Sequence, residues 1–444
     1  IGNGVTEIGE YAISDCASLK EIVVGENNPN FSSLEGVLFN KDQTTLIQYP
    51  FGKSGAYTVP DNVTSINQYA FHMCAGLTSI IIPDNVTFMG VGAFNGCSSL
   101  TSVTIGNGVT SIGDSAFQNC SSLENVVIPN NVTSVGEWAF YNCSKLIDVI
   151  IGDSVTFIGS SAFSGCSSLT TVIIPDSAAV IDDQVFSRCT SLTGVQMGSG
   201  VSAIGDYVFT GCSRLRYIIV DPNNLHYSSQ DGVLFSQDGT VLLQYPQGKE
   251  GEYTLPEGVI SIENFAFYNC IGLTGLVLPE GLISIEQNAF YKCKGLQQIY
   301  LPSTLEAIGE DAFFGCVNLL EIDIPDTVTS IGAGAFANCK SLEALDIPSY
   351  VKTIGDSAFY RCEKLKFAYI PDSCVEAGSY MFKHCYALES VIIGAGINGV
   401  QEGFFLGCGY IKEGYYQNNH GDSFFLNCGN LKEVYFLGDN PGIT

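Results

Sequence analysis

The residues of this chain with the greatest capacity for chemistry are its cysteines, seventeen among 444 residues. Cysteine thiolates bind metals when they are clustered, typically as C-x-x-C, and no such pair occurs in the sequence. Cysteines of neighbouring repeats could lie about 5 Å apart, within the Cα range of a disulfide, but their side chains would point inward in parallel. An odd count also leaves at least one thiol unpaired. We therefore expect mainly buried, reduced thiols, and a bridging or redox role for some of them is the alternative.

Two other patterns could carry chemistry. The segment 394–399 reads G-A-G-I-N-G and matches the G-x-G-x-x-G of dinucleotide loops. The same G-x-G recurs at 2–4, 106–108 and 198–200, so we interpret it as a strand-ending turn. The histidines lie outside G-x-S-x-G and H-E-x-x-H motifs and are interpreted as turn residues: His72, His226, His384 and His420. No catalytic residue, metal or cofactor is expected.

The spacing of the cysteines points to a different use. Seven of them, from Cys74 to Cys212, recur every 23 residues, and seven more do so from Cys270 to Cys408. Only Cys374 departs from the series between these limits. A fixed period of this length indicates a solenoid, in which each repeat forms one coil.

One repeat, taken from Cys97 to Gln118, shows the elements that such a coil contains. Val103 and Ile105 alternate with polar residues, as in a short strand with one buried face. A Gly or Pro ends this strand because proline cannot donate to the ladder and glycine permits a sharp turn. The return leg then contains Ala116 and Phe117 before the next cysteine. We expect it to be extended, with short turns or a single helical turn.

A single coil would expose its apolar side, so neighbouring coils must stack and share a core. The cysteines and phenylalanines then form structural ladders, represented by Cys97, Cys120, Cys143, Phe94, Phe117 and Phe140. The predicted fold is a leucine-rich repeat solenoid, horseshoe-like and mainly β, right-handed, with one long parallel sheet.

Two gaps of 58 residues interrupt the period, from Cys16 to Cys74 and from Cys212 to Cys270. Each contains a G-V-L-F segment and a following Q-Y-P, which we interpret as β-hairpin insertions near 30–56 and 226–252. No linker is evident, so we expect residues 1–444 to form a single domain of about 18 coils. Neighbouring coils should be separated by one strand spacing, about 4.8 Å.

The composition of the chain limits the classes of partner that it can bind. Eighteen Lys and Arg oppose 45 Asp and Glu, giving a net charge of −27, which would repel a phosphate backbone. Nucleic acid is therefore excluded as a partner. No apolar run reaches the roughly 20 residues that a membrane-spanning helix requires, so membrane insertion of this segment is not expected.

The outer face of the predicted sheet carries an unusual number of apolar and aromatic side chains. Contiguous apolar surface marks interaction sites, and tyrosine suits a surface that must remain partly hydrated. The alternative is β-propensity alone, which favours the same residues whatever the surface binds. If a ligand site exists, we expect it at Tyr300, Phe367, Tyr369, Tyr415 and Tyr435.

The L-x-x-I-x-[IV]-[PG] strand followed by A-F-x-x-C resembles the BspA-like class of bacterial surface leucine-rich repeats. The A-F-x-x-C element recurs at 93–97, 116–120, 139–143 and further copies, so the likeness covers essentially the whole chain. The place of the asparagine ladder of ordinary leucine-rich repeats holds Asn85, Gly108, Asn131, Ser154 or Thr304, so a regular asparagine ladder is absent.

The resemblance implies a non-catalytic extracellular or cell-surface module for recognition or adhesion. Its partner would be a protein, either a host matrix protein or a protein of another cell surface, bound through the sheet face. The alternatives are a structural spacer without a ligand and a glycan-binding surface module.

Overall fold

The computed structural model describes residues 1–9, 12–13, 16–397, 401–408 and 430–437. The chain divides into two compact units, Ile1–Ser229 and Gln230–Thr444, and each is described by itself. The boundary falls inside the strand β19 (Tyr227–Gln230). The described residues form a parallel β-solenoid of about 15 turns without a helical segment.

The first unit contains two rows of parallel strands. One row, on the side that we call the sheet face, has strands of three to five residues, and the other has strands of two apart from the four-residue β3. The strands of this unit are β1 (Phe31–Leu34), β2 (Val37–Asn40), β3 (Thr45–Gln48), β4 (Gly55–Thr58), β5 (Ser65–Ile66), β6 (Leu77–Ile81), β7 (Phe88–Met89), β8 (Ser102–Thr104), β9 (Ser111–Ile112), β10 (Asn125–Val127), β11 (Ser134–Val135), β12 (Asp148–Ile150), β13 (Phe157–Ile158), β14 (Thr171–Ile174), β15 (Val180–Ile181), β16 (Gly194–Met197), β17 (Ala203–Ile204) and β18 (Tyr217–Val220).

Strand order follows the repeat. The sheet face pairs β4, β6, β8, β10 and β12 in succession, and β14, β16 and β18 likewise. The short strands pair as β3, β5 and β7, and as β9 to β17. Beyond the hairpin-bearing coil, residues 23 apart are partners in these registers, as with Asn125 and Asp148. β3 and β5 pair residues 20 apart. The cysteine period therefore sets the strand register.

The second unit repeats this arrangement. Its sheet face pairs β22, β24 and β26, then β29, β31, β33 and β34, and the bridges Tyr300–Asp323 and Asp323–Asp346 join the two groups. The strands are β20 (Val233–Ser236), β21 (Val241–Gln244), β22 (Gly251–Thr254), β23 (Ser261–Ile262), β24 (Leu273–Val277), β25 (Ser284–Ile285), β26 (Gln298–Tyr300), β27 (Ala307–Ile308), β28 (Ser330–Ile331), β29 (Ala344–Asp346), β30 (Thr353–Ile354), β31 (Phe367–Ile370), β32 (Glu376–Ala377), β33 (Ser390–Ile393) and β34 (Glu433–Phe436).

Each unit has a core of stacked identical side chains. Phe94, Phe117 and Phe140 lie fully buried in the first unit, with ring centroids 5.0 and 5.3 Å apart and nearly parallel planes. Phe290 and Phe313 stack at 5.0 Å in the second. Offset stacking of this kind adds to the gain from area burial. The phenylalanine ladder expected from the sequence is thus present.

The return side of each coil, which runs from the short strand to the next cysteine, is built from turns. In the coil that ends at Cys120, Ser115 and Asn119 both have positive φ, at 55° and 60°. The same two positions are left-handed in nearly every described coil. A left-handed residue ends a helical turn, so these segments do not continue as helices. Phe117 instead donates its backbone N–H to the carbonyl of Ala139 in the next coil, at 2.7 Å.

The hairpin-bearing coils contain antiparallel strands. In the first unit β1 pairs with β2 and β2 with β3, and in the second unit β20 pairs with β21. The turn between β2 and β3 is closed by Asp42, whose carboxylate accepts the N–H and the hydroxyl of Thr44 at 3.2 and 2.8 Å. These bonds hold the pKa of Asp42 below its usual value. Asp238 and Thr240 repeat this turn in the second unit.

Two cysteines depart from the expected ladder. Cys16 is exposed, although the sequence predicts a buried thiol there. Its repeat reads A-I-S-D-C, so isoleucine replaces the phenylalanine that elsewhere precedes a core cysteine. Cys374 is buried and lies 23 residues after the buried Val351, where it packs as a small apolar side chain. Cys428 lies outside the described residues.

Candidate functional site

The sheet face of each unit presents one row of outward side chains, which we call the outer row. Side chains alternate across a strand, so in β10 the side chain of Val126 is buried and that of Val127 is exposed. Parallel pairing in register brings equivalent residues side by side, as with Val127 and Ile150. The outer row is therefore a continuous surface column within each group of paired strands.

In the first unit the outer row is aliphatic. Its exposed apolar members are Val23, Ile81, Val127, Ile150, Ile173 and Ile219. Thr104 and Gln196 interrupt it, the latter between Ile173 and Ile219. This part of the surface offers apolar contact area with few hydrogen-bonding groups.

In the second unit the outer row is aromatic and acidic. In strand order it contains Val277, Tyr300, Asp323, Asp346, Tyr369, Ile392 and Tyr435, all joined by parallel pairing. The side chains of Tyr300 and Tyr435 are 61% and 49% exposed, and that of Tyr369 is half-buried. Two carboxylates thus separate Tyr300 from the other aromatic residues.

The five residues predicted from the sequence as a ligand site are only partly brought together. Phe367 and Tyr369 lie on the same face of β31, and Phe367 is 43% exposed. Tyr435 lies two strands away, because Ile392 pairs with both Tyr369 and Tyr435. Tyr300 is three strand spacings from Tyr369, about 14 Å. Tyr415 lies outside the described residues.

A row of alternating charges beside this aromatic cluster escaped the sequence analysis. Lys366 and Lys432 form ion pairs with Glu343 and Glu389, with N–O distances of 3.2 and 2.6 Å. The hydrogen bond from Lys432, followed by its charge, holds the pKa of Glu389 below its usual value. The signal in the sequence was the 23-residue step from Glu343 to Lys366 and on to Glu389.

Tyr435 is oriented by its own strand. Its hydroxyl donates to Oε2 of Glu433 at 3.1 Å, and this bond raises the pKa of the phenol. The ring of Tyr435 therefore stays exposed on the surface, while its hydroxyl is already hydrogen-bonded to Glu433. Such a residue presents mainly apolar area to a partner.

The ladder cysteines have a structural role, as expected from their spacing. Most of the buried ladder thiols donate to the carbonyl of a phenylalanine 26 residues earlier, as Cys97 does to Phe71 at 3.1 Å and Cys120 to Phe94 at 3.2 Å. Cys74 and Cys270 instead contact the carbonyl of a tyrosine 25 residues earlier, at 3.8 Å. Burial raises the pKa of Cys143 to about 12. Such thiols are protonated and inert at neutral pH.

The described residues offer little support for a metal site or a nucleotide-binding loop. Among residues 1–397, 401–408 and 430–437, leaving aside 10–11 and 14–15, no group of three or more His, Cys, Asp or Glu could hold a metal. The G-x-G turn at Gly394 is a packing feature, since a Cβ there would come within 2.4 Å of the backbone nitrogen of Asp372. Asp372 also accepts the N–H of Ala395 at 2.8 Å. Within the described residues no helix could cross a membrane.

The comparisons with known proteins agree with this architecture. A family model for the BspA type leucine-rich repeat region matches residues 1–54, 53–168, 136–233, 251–366 and 329–443. A leucine-rich cell surface protein from Faecalibacterium prausnitzii A2-165 has 34% identical residues and a TM-score of 0.63. The match covers 77% of this chain and 95% of that one.

A second crystal structure, of a leucine-rich repeat protein from Bacteroides ovatus, has 25% identity and a TM-score of 0.59. It covers 82% of this chain and 92% of its own. None of the proteins with curated descriptions matches this chain.

Proposed function

Since the chain belongs to the BspA-type leucine-rich repeat family, we propose that it is a non-catalytic recognition module that binds a protein partner through its sheet face. The observation that carries the proposal is the aromatic cluster of Phe367, Tyr369 and Tyr435 on that face. Large aromatic side chains dominate the energy of protein interfaces.

The surroundings of the cluster suit an interface. The ion pairs between Lys366 and Glu343 and between Lys432 and Glu389 lie directly before strands of the same sheet. Charged groups around an apolar centre favour the correct orientation and association rate more than they favour affinity. The arrangement resembles the apolar core and polar rim of known interfaces.

We place the module outside the cell or on its surface. The similar protein from F. prausnitzii is described as a cell surface protein. A packed thiol survives in an oxidising environment when oxidants cannot reach it, and the cysteines from Cys74 to Cys408 are buried. The partner we propose is a host matrix protein or a protein of another cell.

The test is to replace Tyr300 and Tyr369 by serine and to measure attachment to a panel of immobilised host matrix proteins. We expect attachment to fall at least about tenfold, since aromatic anchors commonly contribute more than 1.4 kcal/mol. The thermal unfolding transition should hardly change because Tyr300 is exposed and Tyr369 is half-buried.

Tyr350 provides the matched control. It is 63% exposed in a turn after β29 and lies outside the outer row. Tyr350→Ser should leave attachment unchanged. Equal attachment by the double serine variant and the parent would contradict the proposal and would favour a structural spacer without a ligand.

A further inference from the structure

A groove on the return side of the first unit has no part in the proposed sheet-face interface. Its volume is about 350 Å³, within the range of small-molecule sites. It is lined by Gln118, Trp138, Tyr141, Ser161, Ser164, Gln184, Ser187 and Arg188.

Small side chains at successive coils create the opening. Trp138, Ser161 and Gln184 occupy the same repeat position, as do Tyr141, Ser164 and Ser187 three residues further on. Neighbouring coils here are 5.2 and 5.6 Å apart, measured between the phenylalanine rings beneath them. Serine at the middle coil therefore leaves a gap beside the rings of Trp138 and Tyr141.

Three hydroxyls in the groove are unusually placed. Ser161, Ser164 and Ser187 are only 8%, 4% and 6% exposed. Their backbone groups are bonded, for example Ser161 N–H to the carbonyl of Asp183 at 2.8 Å. Among the residues that the structure describes, none of the three hydroxyls belongs to the buried polar atoms that lack a partner, so each one reaches the solvent in the groove. A ligand that fills the groove would remove these hydroxyls from water, which is costly unless the ligand forms hydrogen bonds with them.

These groups determine what the groove can bind. An apolar side chain placed there would shut the three hydroxyls away from water and leave them unsatisfied. A ligand rich in hydroxyl groups would satisfy them, because hydroxyls both donate and accept. The rings of Trp138 and Tyr141 would contact the apolar face of such a ligand. This combination fits a sugar ring.

The charge of the groove is the reverse of that of the chain. The sequence has 45 Asp and Glu, yet none of them lines this groove, whereas Arg188 does. Arg188 forms no ion pair with the described residues. A guanidinium group binds a carboxylate through two parallel hydrogen bonds.

We propose that this groove binds a saccharide ring that carries a carboxylate, such as a uronic acid. The ring lies against Trp138 and Tyr141, its hydroxyls bond to the buried serines, and its carboxylate pairs with Arg188. The carboxamide of Gln184 and the Oε1 of Gln118, which already accepts from Asn95 Nδ2 at 2.8 Å, border the site.

The chain contains one tryptophan, so its fluorescence reports on this groove alone. The full chain is titrated with the methyl glycosides of glucuronic and galacturonic acid and, as neutral counterparts, with the methyl esters of both. We expect a saturable change in Trp138 emission for at least one acid, with Kd in the millimolar range or tighter. The corresponding ester should bind at least about tenfold more weakly.

Two variants locate the ligand. Replacing Ser161, Ser164 and Ser187 together by alanine should weaken binding at least about thirtyfold, since three hydrogen bonds are lost. The fold should be retained because no protein bond to these hydroxyls is broken. Arg188→Gln should remove the preference for the acid and leave the weaker binding of the ester unchanged.

The matched control is Ser115→Ala, at the same repeat position as Ser161 and with the same left-handed backbone, but outside the groove. It should bind like the parent. The proposal is overturned if neither acid gives a saturable change, if acid and ester bind equally, or if the triple alanine variant binds like the parent. Because the sheet face is untouched, these outcomes are independent of the matrix-attachment test.

Discussion

At the residue scale, two tyrosine hydroxyls in the hairpin-bearing coils are buried at a cost. Tyr49 and Tyr245 are fully buried, and neither hydroxyl has a hydrogen-bond partner among the residues that the structure describes. Burial, together with nearby thiols, raises the pKa of Tyr49 to about 12. The rings stack on Phe71 and Phe267 at 4.9 and 4.8 Å, so packing retains them.

Replacing Tyr245 by phenylalanine should therefore raise the free energy of unfolding, by about 1 kcal/mol. The ring keeps its stacking on Phe267 and loses only the unsatisfied hydroxyl. Urea unfolding followed by circular dichroism measures the change. Tyr380→Phe is the control, because its exposed hydroxyl donates to Glu402 at 2.7 Å, and its loss should give no gain. A lower stability for Tyr245→Phe would show that the hydroxyl has a stabilising partner.

Some single residues could not have been predicted from the sequence. Trp138, Gln184 and Arg188 all adopt positive φ, although none of them is a residue type that favours this conformation. The neighbouring coils impose it, since the equivalent positions hold Gly92 and Gly165, also with positive φ. Trp138, Gln184 and Arg188 give no signal of this conformation by their own residue types, and the groove that these side chains border was missed for the same reason.

At the scale of the element, the cysteines form a buried column beside the phenylalanine ladder. Sγ to carbonyl distances such as 3.1 Å for Cys212 and 3.2 Å for Cys143 recur along the ladder. The thiol is a weak donor, but it fills a tight, dry position beside the phenylalanine ring. The spacing in the sequence was enough to predict this column, since every member occupies the same place in the coil.

The column makes stability depend on alkaline pH. Burial raises the pKa of Cys143, Cys212 and Cys362 from 9.0 to about 12. The unfolded chain loses these protons from about pH 9, whereas the folded chain holds them until about pH 12. Each such thiol should then cost about 1.4 kcal/mol of stability per pH unit across that window, and nothing below it.

We therefore expect cooperative alkaline unfolding as the pH rises past 9 in the presence of a reductant. Circular dichroism between pH 7 and 11 measures it. A Cys143→Ala, Cys212→Ala double variant lacks two titrating thiols. The loss of its free energy of unfolding per pH unit should therefore be smaller than that of the parent by about 2.7 kcal/mol. The pH dependence of the free energy of unfolding is compared, and not its absolute value, because the cavities left by alanine lower stability equally at every pH. Stability that is constant from pH 8 to 10.5 would contradict this account.

The two kinds of strand differed in how well the sequence predicted them. Alternating residues such as Val103 and Ile105 predicted the sheet face directly, because one side of those strands is buried. The return side contains no such alternation. Many of its backbone hydrogen bonds run between coils, as from Phe140 to Ala162 at 2.7 Å, and two residues per coil are left-handed. Its conformation depends on stacking and not on local preference.

At the scale of the whole molecule, the chain behaves as a sum of similar coils. In the regular coils of the first unit, each strand residue pairs with the residue 23 positions further along the chain, as Ser79 does with Ser102. Stability in such an array is roughly the sum of the coils and of the interfaces between neighbours. The number of residues in a coil, more than their identity, should then decide whether neighbouring coils pair in register.

A pair of deletions in the first unit tests this arithmetic. Removing residues 103–125 takes out 23 positions and joins Ser102 to Val126, so that the buried Val126 replaces the buried-side Val103 and the exposed Val127 replaces Thr104. We expect a folded chain with an unchanged circular dichroism spectrum per residue. Its stability should be lower by the contribution of one coil, a few kcal/mol.

Removing residues 103–124 takes out 22 positions and leaves Asn125 as an extra residue inside the strand. A slip of one residue sends every following side chain to the opposite face, so Val126 would point outward and Val127 inward until a bulge absorbed the difference. This variant should unfold at a much lower urea concentration than the 23-residue deletion, although it retains one residue more. Equal stability of the two deletions would mean that coil length does not set the register, and that local strand preference does.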